Sequence, residues 1–186
     1  YANIDRYRAC AEPITQLPTD PNIGTYVNLS DDDSEAKTVP EGVVLYDEMY
    51  TTLYICSNGR ITFTSGSSDY TESIGEHFSI PGISMLWDDL NPANGGTIRF
   101  AQLFDRVVVT FNNVPEFSNS GSNTFQCELF FSGVIRLSWL GVDSNDNIVG
   151  LSEGNGLPQG FEESDLSASL DCGEPTIPGD VNGDGI

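Results

Sequence analysis

Asp180, Asn182 and Asp184 place side-chain oxygens at every second residue of Gly179-Asp180-Val181-Asn182-Gly183-Asp184-Gly185-Ile186. These are positions 1, 3 and 5 of a calcium loop, with Gly185 at the tight turn of position 6 and the Ile186 carbonyl at position 7. Oxygen ligands so spaced wrap one side of a hard cation. Position 9 and the carboxylate of position 12 are not in the sequence, so this is half a loop. Further chain, or a neighbouring subunit, would have to supply the remaining oxygens. Ca2+ is the expected cofactor.

A second set of oxygens follows a tryptophan in Trp87-Asp88-Asp89-Leu90-Asn91. Asp88, Asp89 and Asn91, with Asn94 nearby, are a further candidate calcium set. The plainer reading is an Asp-rich turn after a core tryptophan. The run Asp31-Asp32-Asp33-Ser34-Glu35 reads first as a solvated loop, because consecutive carboxylates cannot all point inward at one ion. Asp143-Ser144-Asn145-Asp146-Asn147 has alternating oxygens but Ile148 where a loop glycine belongs, so a connecting turn is expected.

For catalysis the inventory is poor, and no catalytic residue is assigned. His77 is the single histidine, in Gly75-Glu76-His77-Phe78-Ser79, without a recognisable nucleophile context. Neither Ser-x-x-Lys nor G-x-S-x-G occurs. The chain is therefore expected not to be an enzyme. Tyr46, Tyr50, Tyr70, Phe117 and Trp139 are aromatics that a glycan-binding surface would use where they are exposed.

Of the 186 residues, 28 are Asp or Glu and 7 are Lys or Arg, a formal net charge of −21. Phosphate binding needs a basic face, so nucleic acid is excluded as a natural partner. No run of about 18 apolar residues is present, and membrane insertion is not expected. Four cysteines, Cys10, Cys56, Cys127 and Cys172, are spread along the chain with no C-x-x-C pair. Two disulfides in an oxidising compartment is the economical reading. Three pairings are possible; we expect Cys10–Cys172, tying the two ends, and Cys56–Cys127, tying two strands. Tyr1 in place of methionine is consistent with a removed signal peptide, and Asn28-Leu29-Ser30 is a glycosylation sequon at Asn28.

The elements that must position these residues are short strands. Residues 1–42, with Pro13, Pro18, Pro21 and Pro40, read as an extended N-terminal arm. From Val43 the spacing predicts strands over 43–46, 51–56, 60–64, 83–87, 97–101, 106–112, 123–131, 134–140 and 147–151. Asn58-Gly59 and Ser132-Gly133 mark hairpins. Helix, if any, is a turn or two near 162–170. The expected fold is all-β, an antiparallel β-sandwich of about eight strands over 43–156, then a linker over 157–178 and the half loop over 179–186.

Two strings carry resemblances. GDVNGDG resembles the first calcium loop of a type I dockerin, which implies a secreted bacterial protein; docking to a cohesin needs two complete loop-helix units. The succession LYICSNGRITF, IPGISMLWDDLNPANGGTIRF, RVVVTFNNVPEF, NTFQCELFFSGVIRLSW and IVGLSEGNG resembles nidogen-type extracellular domains. That resemblance implies an extracellular or cell-surface location and an adhesive or scaffolding role. Cys56 and Cys127 depart from the pattern. The expected function is a structural or adhesion module, with self-assembly into a filament through arms and sheet edges or another extracellular protein as partner. Binding a glycan or a protein, within a dockerin-bearing secreted protein, is the alternative.

Overall fold

The computed structural model describes residues 7–118, 120–166 and 169–172. Two five-stranded antiparallel sheets pack face to face. Strands in chain order are β1 (Cys10–Ala11), β2 (Thr25–Tyr26), β3 (Ser34–Leu45), β4 (Glu48–Cys56), β5 (Arg60–Thr62), β6 (Pro81–Trp87), β7 (Thr97–Gln102), β8 (Arg106–Val114), β9 (Asn123–Phe130), β10 (Ile135–Gly141), β11 (Ile148–Glu153) and β12 (Leu170–Asp171). One sheet has the order β10-β9-β8-β7-β2 and the other β11-β6-β5-β4-β3. The sandwich expected from the strand spacing is the observed fold.

Period-two alternation builds the core. On β9, Phe125, Cys127 and Leu129 face the opposite sheet, while Gln126 and Glu128 face outward. Leu53 and Ile55 of β4, Ile61 of β5 and Val107, Val109 and Phe111 of β8 complete the interior. Phe111 and Phe125 stack with ring centroids 4.6 Å apart. The outward face of β9 is itself covered, because the Thr19 N–H donates to Gln126 Oε1 at 3.0 Å and the Thr19 hydroxyl to Glu128 Oε1 at 2.6 Å.

Three expectations change. The boundary at Val43 falls inside β3, and the first half of that strand pairs with β4 from Ser34↔Cys56 to Thr38↔Thr52. Pro40 and Gly42 lie where the register shifts between Thr38 and Val43. β3 is an edge strand, so a bulge there tolerates a missing N–H donor. β2 likewise joins a sheet, so the arm contributes strands to both. The short helix is Ile74–His77, capped by the Ser73 side chain, and Phe161–Asp165 carries no regular structure.

Cys10 and Cys172 form the expected disulfide, beside the parallel pair β1–β12. Cys56 and Cys127 do not: both are free and buried. Strand parity is the reason. Cys127 shares the inward face of β9, whereas Cys56 follows the inward Ile55 and so projects from the outer face of its sheet, its sulfur 3.7 Å from Thr62 Oγ1. Burial raises the pKa of both thiols.

Candidate metal centre

Three turns meet at one end of the β11-β6-β5-β4-β3 sheet. The first is Asp31–Asp33, entering β3; the second is Ser57–Gly59, joining β4 to β5; the third is Asp88–Leu90, leaving β6. Asp33 and Ser57 lock the first two together, since Ser57 N donates to Asp33 O at 2.8 Å and Asp33 N to Ser57 Oγ at 2.9 Å. Asn58 ties in the third. Its Nδ2 donates to Asp32 Oδ1 at 2.9 Å, and its Oδ1 accepts from Leu90 N at 3.0 Å. Gly59 has φ +73°, and a Cβ there would lie 2.0 Å from Leu86 O. Glycine is required for this turn to reach β6.

The product is a convergence of carboxylates. Ligand oxygens of Asp31, Asp32 and Asp89 lie within 4.8 Å of one another. Asp31 Oδ1 is shielded from solvent and accepts no hydrogen bond. Burial, then the charge of Asp32, raises the Asp31 pKa. Asp89 is pushed up to about 6, first by burial and then by Asp32, Asp31, Asp88 and Glu72. All four of these neighbours carry negative charge. Glu72 is raised too, by burial and then by Asp88, Asp146 and Asp69. Like charges held this close destabilise the fold unless a cation or protons neutralise them.

The structure divides the 88–91 set. Asp89 enters the cluster, while Asp88 Oδ1 accepts from the Asp89 N–H at 2.7 Å. Asn91 turns its side-chain oxygen to Ala93 N at 3.0 Å, capping the 3₁₀ turn Pro92–Asn94. Asp31 and Asp32, read from the sequence as a solvated loop, supply the other two carboxylates. No local spacing joins them to Asp89; only the pairing of β3 with β4 and of β5 with β6 does. Trp87 is fully buried, but outside the inter-sheet cluster, with the Arg60 guanidinium 3.9 Å from its ring centroid. Asp180, Asn182, Asp184 and Ile186 lie outside the described residues. Asp143–Asn147 is a connecting turn, with Asp143 N and Ser144 N both donating to Asn123 Oδ1.

His77 and Ser84 form a contact the sequence did not announce. His77 Nδ1 is 2.9 Å from Ser84 Oγ, and Nε2 is 3.3 Å from Leu151 O. Both residues are buried, at 4% and 1% exposure. Burial lowers the imidazole pKa, and the pair pins the 74–77 helix to β6 and β11. Asn28 is exposed.

The family described as NIDO related matches residues 7–171. The chain belongs to this family. The match takes in both sheets, the clamp of β1 on β12 and all three turns of the acidic cluster. No curated protein and no solved structure matches the chain significantly. Membership of the NIDO related family and the Cys10–Cys172 disulfide fit an extracellular module.

Proposed function

We propose that this chain is an extracellular structural or adhesion module that works by binding and assembly, and that a calcium ion at Asp31, Asp32 and Asp89 fastens its three turns together. The observation that carries the reading is the convergence of three carboxylates, one of which, Asp31, has a shielded oxygen that accepts no hydrogen bond. A hard divalent cation suits an all-oxygen site, and three carboxylates with one prepositioned side compare with extracellular calcium modules of Kd roughly 10⁻⁴–10⁻³ M. Backbone carbonyls and water would complete the shell.

Thermal unfolding with added CaCl2, against chelator, tests it. At about 100 times Kd, binding to the folded state adds about 2.7 kcal/mol. Asp89→Asn should remove the shift, and Asp184→Asn should leave it intact. A shift that survives Asp89→Asn and vanishes in Asp184→Asn would assign calcium to the C-terminal half loop instead. No shift in 10 mM calcium, far above such a Kd, would end the metal reading.

A glycan-binding reading has one observation in its favour. A cleft of about 310 Å³ is lined by Leu45, Tyr46, Glu48, Tyr50, Glu153 and Asn155. Two tyrosines beside hydrogen-bonding side chains suit a single sugar ring. Glycan-array binding abolished by Tyr50→Ala supports this reading, and binding indifferent to that change removes it.

A further inference from the structure

Each sheet ends in edge strands, and three of the four are blunted. β3 carries Glu35, Glu41, Pro40 and a bulge; β2 has two residues; β11 is half-buried and ends in Glu153. Charges, proline and shortness are the usual protections against edge-to-edge pairing. β10 has no acidic residue or proline: Val134-Ile135-Arg136-Leu137-Ser138-Trp139-Leu140-Gly141-Val142 is the strand with its flanks. Val134 is 56% exposed, Leu140 46% and Val142 37%.

The backbone of that edge is open. Phe130 N donates to Val134 O at 2.9 Å, so Val134 turns its carbonyl toward β9. Antiparallel alternation then turns the N–H and C=O of Ile135, Leu137 and Trp139 away from β9, to the free side. Among the described residues no backbone group outside β9 bonds to those three. Their side chains pack on the core, so the ladder is held straight up to the irregularity between Trp139 and Gly141.

We propose that β10 pairs with β10 of a second copy of this chain, antiparallel, about a two-fold axis at Leu137. The proposal rests on the reading of the chain as an assembling module and names the partner. In that register Leu137 meets its own copy and Ile135 meets Trp139, as hydrogen-bonded pairs. On the outer face Arg136 meets Ser138, and at either end of the pairing exposed Val134 comes beside exposed Leu140, the residue at which the ladder becomes irregular. The strip is thus self-complementary, as an isologous contact requires. Charge selects the occupant's site. Copies carrying −21 each repel over most of their surfaces, and this carboxylate-free edge is where they can approach. An isologous contact closes at two, so a filament would need a second, different contact.

Analytical ultracentrifugation of the whole chain, across concentration and salt, tests this with amide hydrogen exchange. The expected result is a dimer that strengthens as salt screens the like charge, with concentration-dependent protection at the Ile135, Leu137 and Trp139 amides and none gained at Arg136 and Ser138. Leu140→Lys, at a surface position, should raise the dimer Kd at least tenfold while leaving the calcium response of the monomer unchanged. Monomers at millimolar concentration in high salt would overturn the proposal, as would a dimer whose protected amides lie on another strand. Pairing without a calcium shift would remove the metal reading alone; a calcium shift without pairing would remove the dimer alone.

Discussion

Glu128, on the outer face of one sheet, and Asp31, in a turn at the end of the other, each hold carboxylate oxygen away from water, and the chain treats them in opposite ways. The Glu128 side chain is 0% exposed, and both its oxygens are spoken for. Arg106 Nε donates to Oε1 at 2.8 Å and Arg136 Nη1 to Oε2 at 3.1 Å, with Thr19 completing the shell. Asp31 has one oxygen with no partner, and its nearest charges are acids. Two of the chain's seven cations are placed at Glu128. A carboxylate neutralised from within fastens the N-terminal segment to β9; one left among like charges leaves room for a cation from outside.

The largest break in this comparison is Glu128→Ala. It strands two arginines and frees Thr19, and removing one partner of a buried pair costs 3–5 kcal/mol in general. Partial exposure of both arginines brings the expected loss to about 3 kcal/mol, read from the urea midpoint. Asp89→Asn should do the reverse in chelator, stabilising the protein by about 1 kcal/mol as like-charge repulsion is relieved. A destabilised Asp89→Asn protein would mean the cluster is already neutralised.

Acid gives the same answer without mutation. Asp89 keeps its proton to about pH 6 in the fold, against an ordinary value of 3.8. Between these values the folded state binds more protons, so calcium-free stability falls as pH rises from about 4 to about 6 and is regained on acidification. Saturating calcium should flatten or invert that slope, which thermal melts at fixed pH would show. The smallest expected effect is Arg136→Ala. Its side chain is 42% exposed, and Arg106 remains on Glu128, so a loss under about 1 kcal/mol is expected. A larger loss would make Arg136 the main counter-ion.

How far the sequence disclosed all this depends on the range of each interaction. Asn58-Gly59 and Ser132-Gly133 announced their hairpins because turn chemistry is local. The sandwich followed from strands at regular spacing, and Cys10–Cys172 joined ends that lie together in the fold. Cys56 failed on a single-residue phase: one position earlier, at Ile55, its side chain would have faced the core. Pro40 made the first part of β3 read as an arm, since a bulged edge strand and a loop share their composition. The acidic cluster was half legible. Asp89 stood out beside Trp87, but Asp31 and Asp32 reach it only through sheet pairing, which no spacing in the sequence encodes.

β1 and β12 run parallel, with Cys10 opposite Leu170 and Ala11 opposite Asp171. Chain therefore enters this clamp from one side and leaves it on the other. A pull on both ends passes from Cys10 to Cys172 through one covalent bond, across a sequence separation of 162. Both sheets hang beside that line of tension and carry none of it. Oxidised, the module is a short inextensible link; once reduced, it becomes a folded spring that must unravel strand by strand before the load is passed on.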